Sequence, residues 1–433
     1  MRFQRFTSIH GFLARIVAFV ASLGCHQAVG SYPFAIDSML RLPSINSGDA
    51  RLGSSIDVDG GRVLIGAPRD DITGPLRGRA YLFDIETSLL IQTFEDPSHD
   101  LLVYFGTSVA IDGDRVLIGN PGGSVFEPKS GRAVLFDAST GEALFIFQDP
   151  TPTGNDNFGY AVALNGNRAL IGDRKDNTMG PLVGQAHLFS ATNGDLLHTF
   201  NDPTPTEGDI FGGAVAIEGN RILIGAPEDD TNGKGVGQAH LFDANTYESL
   251  WTFDDPTPTV FDEYGVNDLF GCSVAIKGDR VLIGAKQDHS IERTTGQAHL
   301  FDASSGALLR TFSDPTPAGG GFFGTSVDLE GDIVLVGEPH HSNGQVQVGG
   351  FSSNSEEGQT HLFDLKTGEH LQTLEALPKN PLDHFGASVA IQDGWIGVGS
   401  PNSDHPVENA GLVTLFRPVV FSSVEPESWN LYE

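Results

Sequence analysis

The sequence predicts an all-β protein, a seven-bladed β-propeller of four-stranded antiparallel blades, and three observations carry that prediction. A Phe-Gly pair recurs at nearly constant spacing, each repeat holds four short strand-like runs, and the two ends of the chain complement each other. Phe105-Gly106, Phe158-Gly159, Phe211-Gly212, Phe270-Gly271, Phe323-Gly324 and Phe385-Gly386 mark six units, and Leu52-Gly53 opens the first. Their first residues are separated by 53, 53, 53, 59, 53 and 62 positions. A period near fifty points to propellers or arrays rather than to unlike domains in series.

The stretch from Phe211 to Phe253 shows the unit best. Phe211 to Ile217 alternates toward Glu218-Gly219-Asn220, and Arg221 to Ile224 follows as an apolar run closed by Gly225. A short Gly-containing turn between two such runs is a hairpin signal, because Gly accepts the positive φ that tight hairpins need. Gln238 to Phe242 forms the third strand and Leu250 to Phe253 the fourth. No helical period interrupts the pattern, and strands apolar on both faces are what sheets packed between two neighbours require. Asp-Pro-Thr-Pro segments, such as Asp202 to Pro205 and Asp314 to Pro317, end the fourth strand, since Pro fixes φ and cannot extend a ladder. They read as rigid connectors between blades.

The ends supply the closure. The seventh unit has strands at Ala387–Ile391, Trp395–Val398 and Leu412–Phe416 but no fourth, while Ser38 to Leu42 precedes the first unit without partners. Leu42 stands 10 residues before Leu52, close to the 11 that separate Phe94 from Phe105. The N-terminal segment is therefore expected to complete the last blade, removing the open edges of an unclosed array.

Composition limits the partners. Against 25 Lys and Arg stand 56 Asp and Glu, a net charge of −31 in 433 residues. Duplex binding depends on cationic side chains displacing counterions from phosphate, so nucleic acid is excluded and an anionic membrane disfavoured. Residues 1–30 carry Arg2, Arg5 and Arg15, then an apolar run from Ile16 to Leu23, then Ala28-Val29-Gly30, the order of a secretory signal cut before Ser31. No other apolar run is long enough to span a bilayer. A secreted, periplasmic or cell-surface location follows as an expectation, with lipidation at Cys25 as an alternative to its removal. If Cys25 leaves, Cys272 is the sole thiol and no internal disulfide forms. Residues 31–418 are expected to be the propeller and 419–433 a tail.

These residues resemble the FG-GAP repeat family, the seven-bladed propeller best known as the head of integrin α subunits and widespread in exported bacterial proteins. The resemblance covers roughly residues 38 to 418 and rests on Phe-Gly-x-x-Val-Ala-Ile followed by Val-Leu-Ile-Gly-Ala-Pro. The second motif is complete at Gly66-Ala67-Pro68 and Gly225-Ala226-Pro227, and altered at Gly119-Asn120-Pro121, Gly337-Glu338-Pro339 and Gly399-Ser400-Pro401. The family implies Ca2+ in Asp-x-Asp-x-Asp-Gly loops between strands one and two. Here that connection is only Asp112-Gly113-Asp114 or Glu218-Gly219-Asn220, too tight to wrap an ion, so calcium is not carried over. Asp57-Val58-Asp59-Gly60 looks closer to such a loop, but Asp57 falls within a strand.

The two long spacings locate a face. One arises from extra residues between Phe253 and Phe270, where blades join, and the other between Gly337 and Gly358, after a second strand. In an up-down meander both loop types leave at the same end, and insertions confined to one face of a repeat protein mark binding faces. On that face stand Asp70, Asp176, Asp229 and Asp288, each four residues after the strand-two glycine, with Asp71, Asp230 and His289 beside three of them. They can hold divalent cations or hydrogen-bond a sugar, or each Asp can close its turn through its own backbone. His187, His240, His299 and His361 share one register of the third strand, where blades one and two have Tyr81 and Val134. Strands ~4.8 Å apart place these histidines too far from one another to share an ion, so they read as packing residues between blades. His340 and His341, in the long loop near Glu356-Glu357, are the metal candidates.

The sequence contains no His-Glu-x-x-His, Gly-x-Ser-x-Gly or phosphate loop. The expected function is an exported, non-catalytic and monomeric binding or adhesion module that engages protein or carbohydrate through the loop face. A secreted carbohydrate-active lyase or glycosidase using that face, and a structural surface protein, are the alternatives.

Overall fold

The computed structural model describes residues 33–42, 49–72, 76–98, 104–122, 130–259, 267–288, 295–317, 320–341, 357–380, 382–404 and 409–419. Residues 1–32, which include the expected secretory signal and Cys25, residues 420–433, His289, Glu356 and the middle of both enlarged loops lie outside them. Among the described residues twenty-eight strands form seven antiparallel sheets of four, and no helix occurs. Each sheet except the last takes its strands in chain order. In the last, Phe34–Leu40 pairs antiparallel with Leu412–Pro418, from Phe34 opposite Pro418 to Leu40 opposite Val413. This strand starts at Phe34 rather than Ser38, because Leu412–Pro418 offers seven residues to pair with and a register shift between Ile36 and Ser38 absorbs the mismatch.

The burial of blade four explains its residue choice. Arg221–Ala226 and Gln238–Asp243, the second and third strands, are buried except at one end, since neighbouring blades cover both faces. The outer strand Ser249–Asp254 buries only Phe253. That ring enters a cluster with Leu223, Leu241, Phe270, Ile283 and Phe301, drawn from blades four and five, so the core lies between blades rather than within one. Burying such a side chain contributes roughly 2–3 kcal/mol.

The Phe-Gly pair, Leu52-Gly53 in blade one, is the centre of a turn repeated seven times. In blade five the carbonyl of Leu269 accepts the amide of Cys272 at 3.1 Å, and Gly271 between them has φ +93°, a value that type II turns reserve for glycine. The turn places Phe270 fully buried under the neighbouring ring system.

At the opposite end, two-residue hairpins join strands one and two, as Glu218 opposite Arg221 shows. Their side chains tie each blade to the next. Asp59 accepts the Gly113 amide at 2.9 Å while Arg62 donates to the Gly113 carbonyl at 2.6 Å. Asn165 and Arg168 treat Gly219 in the same way, at 3.0 and 2.9 Å. Gln392 donates to Asp59 at 2.9 Å and carries the series from blade seven back to blade one. The hairpin acids are thereby committed to neighbouring backbone.

Candidate functional site

Two arrangements lie at the loop end, and the first is the mouth of the axial cavity. The first strands of all seven blades surround a cavity of about 920 Å³, lined by small and branched residues such as Ser108, Val109, Ala161, Val162, Ser273 and Val274. Its mouth is framed by Arg69, Pro121 and Arg174 from strand-two loops and by Arg51, Tyr104 and Asn157 from blade connections. The residue before each Phe-Gly pair holds one backbone position seven times over, with φ between +56° and +68°. The side chains there are all different: Arg51, Tyr104, Asn157, Ile210, Leu269, Phe322 and His384. All seven are partly exposed. A left-handed conformation is unfavourable for residues with a Cβ, and most of all for a branched one such as Ile210. The fold fixes these backbone positions regardless of the side chain, as a scaffold for variable contacts does.

The charge at the mouth runs against the charge of the chain. Among the described residues that line the cavity there is no carboxylate, whereas Arg51, Arg69 and Arg174 are present. Asp49 holds Arg51 at 3.2 Å and Arg69 at 2.7 Å. The Arg174 guanidinium lies 3.4 Å from the centre of the Tyr160 ring, a cation–π contact that leaves its donors available.

The acids expected on this face go elsewhere. Asp70, Asp176, Asp229 and Asp288 are fully buried, so they present nothing to a partner on the surface. The first three close their own turns: Asp70 accepts the Ile72 amide at 3.0 Å, Asp176 that of Thr178 at 2.7 Å, and Asp229 that of Thr231 at 2.8 Å. Asp71 and Asp230 are exposed, and Asp230 accepts the Gly235 amide at 2.6 Å.

These buried acids belong to the second arrangement, at the junctions between blades. Three positions converge there: the acid after the outer strand of one blade, an acid at or just beyond the end of the second strand of the next, and the third residue of that blade's third strand. The junction of blades three and four assembles Asp202, Asp229 and His240, and that of four and five Asp255, Asp288 and His299. Blades two and three assemble Asp149, Asp173 and His187, with Asp156 and Asp176 alongside. In each group the potential ligand atoms lie within 4.8 Å of one another, and every member is buried.

The local chemistry holds each member in place. The Asp-Pro-Thr-Pro segment is more than a connector, because its Asp202 carboxylate accepts the Thr204 amide at 2.8 Å and turns inward. His240 packs 5.6 Å from the Phe211 ring and shares Nδ1 with the Thr252 hydroxyl at 3.1 Å. Its Nε2, like those of His187 and His299, has no hydrogen-bond partner among the described residues. Withdrawal from water pushes the Asp202 and Asp255 carboxyls up to about 7 and the His187 and His240 imidazoles down to about 4.

The remaining junctions are built differently, and blade six, which also brings Asp314, Glu338 and His341 within ligand distance of one another, commits its imidazoles to Glu338. In blade one the Tyr81 hydroxyl donates to Asp70, and Arg79 lies 2.6 Å from Glu95. In blade two Arg132 stands 3.4 Å from Asp96, which also accepts from the Asn120 amide. In blade six Glu338 is bracketed by His341 at 3.1 Å and His361 at 2.9 Å, and these imidazoles hold its carboxyl below the usual range despite burial. The adjacent histidines therefore separate: His341 turns inward to Glu338 while His340 packs edge-on against Phe322 at the mouth. Blade seven places the neutral Ser400, Ser403 and Thr414 in its junction.

Sequence spacing identified the histidine register and the acids after strand two but not their convergence with the Asp that precedes each blade. One signal was present. The third strand opens with Arg79 and Arg132 in blades one and two, where no His follows, and with Gln185, Gln238, Gln297 and Gln359 where His187, His240, His299 and His361 do.

The FG-GAP repeat model matches residues 152–189, 205–242 and 262–301, which fall in blades three, four and five and the connections leading into them. No curated protein matches the chain.

Proposed function

We propose that this FG-GAP propeller, with three repeats matched in blades three to five and one turn geometry opening every blade, is an exported, non-catalytic binding module that engages a carboxylate-bearing protein or carbohydrate at the mouth of its axial cavity. One observation carries this reading: seven equivalent backbone positions around the mouth bear seven different side chains, Arg51 among them, and Arg69 and Arg174 add guanidinium groups beside them in a chain of net charge −31. Guanidinium groups pair with carboxylates in a planar, two-point geometry, which gives orientation as well as attraction. The enlarged connections after Phe253 and Gly337 start from this same end.

Sugar cleavage needs two carboxylates flanking the bound sugar. The absence of any carboxylate from the described cavity lining supports binding over hydrolysis. Export rests on the composition of residues 1–30.

A panel of immobilised acidic and neutral glycans and peptides tests the proposal. Salt-sensitive binding to carboxylated members, lost when the carboxyls are amidated, is expected. Binding confined to neutral members, or release of new reducing ends from the glycans, contradicts it.

A further inference from the structure

We propose that three blade junctions each bind one divalent transition-metal cation of the Zn(II) type, through Asp149, Asp173 and His187, through Asp202, Asp229 and His240, and through Asp255, Asp288 and His299. The first argument is charge. Each junction buries at least two carboxylates, and burying a carboxylate without a countercharge is strongly unfavourable. Arg132 serves blade two and two imidazoles serve blade six, but blades three, four and five have Gln where blade two has Arg.

The second argument is the direction of the unpartnered atoms. His187, His240 and His299 are fully buried, engage a threonine hydroxyl through Nδ1, and turn Nε2 toward the carboxylates. His240 Nε2 lies 3.7 Å from an Asp202 oxygen, and His299 Nε2 lies 3.9 Å from an Asp255 oxygen. Those distances are too long for hydrogen bonds. They are close to the ~3.4 Å between two tetrahedral ligands with metal bonds of about 2.1 Å. The second oxygens of Asp149, Asp202 and Asp255, and both oxygens of Asp173, also have no hydrogen-bond partner among the described residues.

The ligand set selects the cation. Imidazole with two carboxylates suits Zn(II) and its neighbours, whereas Ca(II) and Mg(II) favour sets of oxygen alone. The threonine on Nδ1 supplies the outer support that fixes a metal-binding imidazole, and the Thr204 hydroxyl, 2.9 Å from Gln238, does the same beside Asp229.

The test uses the full chain, stripped with a chelator, titrated with ZnCl2 and analysed for bound zinc after desalting. About three zinc ions per chain and a raised Tm are expected, one for each junction. Cobalt loading should give a visible d–d band. The variant Gln238→Arg/His240→Val installs the pair that blade two already carries, Arg132 and Val134. It should fold and hold one ion fewer, with a correspondingly weaker cobalt band. Replacing His187, His240 and His299 together by Val should abolish binding. Zinc binding of less than one ion per chain, or a stoichiometry indifferent to these histidines, overturns the proposal, as does tight calcium binding in place of zinc.

Discussion

The carbonyl oxygen of Gly271 lies 2.0 Å from the point a side-chain carbon would occupy on Gly225. Gly225 is the penultimate residue of the second strand of blade four and Gly271 sits in the Phe-Gly turn that opens blade five. The two halves of the repeated motif are thus the two sides of one contact between blades. The same approach recurs between Gly119 and Gly159 and between Gly172 and Gly212.

Gly225→Ala should therefore destabilise the protein by about 3 kcal/mol, because backbone rather than a movable side chain stands in the way. Gly219→Ala, which meets nothing within 4 Å but has φ +55°, should cost only about 1 kcal/mol of backbone strain. Denaturant unfolding of both variants checks the difference, and equal losses would count against the contact.

Asp57 and Asp328, on the first strands of blades one and six, predict a pH dependence. Withdrawal from water pushes their carboxyls up to about 7 and about 6, although Asp57 accepts the Ile111 amide and Asp328 the Ile391 amide. Asp328 and Asp59 face the first, and Lys277 and Glu330 face the second. Folded chains then hold protons there that unfolded chains release from about pH 4 upward, so stability from these groups is present at low pH and lost as pH rises through 6 to 7. The double variant Asp57→Ala/Asp328→Ala, which copies Ala110 and Ala163 at the same register, should flatten Tm against pH across that window. Parallel curves would show that these groups do not titrate as described.

Blade six offers a third prediction. His361→Ala removes one of the two imidazoles on the buried Glu338 and should cost about 3 kcal/mol, as for other broken buried pairs. Thermal unfolding reads the loss, and a change under about 1 kcal/mol would mean that His341 alone balances the carboxylate.

Removing residues 34–40 should expose Leu412–Pro418 as an open edge and promote self-association. Light scattering across a concentration series checks this, and an unchanged monomer mass would argue against closure by that strand.

Much of the fold was legible because a propeller repeats its local chemistry. Phe105 to Phe385 marks the blades, and turns such as Glu218-Gly219-Asn220 mark the hairpins without knowledge of anything distant. The turn-closing role of Asp229 was legible for the same reason, since its acceptor geometry involves Thr231, two residues away. The junction was not legible. Asp202 and His240 are separated by 38 positions and meet only because the outer strand of blade three turns its end onto blade four, a packing relation that strand periodicity does not encode. Nor does any residue type announce the mouth. Arg51, Tyr104 and His384 share a backbone conformation and a place on the rim, but no chemical signature.

The most direct measurement is the affinity of a carboxylated ligand from the panel for three proteins: the wild type, Arg51→Ala/Arg174→Ala at the mouth, and Asp114→Ala on the opposite hairpin face. A loss of about tenfold or more at the mouth, worth ~1.4 kcal/mol or more, with unchanged binding on the hairpin face, is the predicted result. Equal affinity for the mouth variant and the wild type would contradict the assignment of that mouth as the binding site.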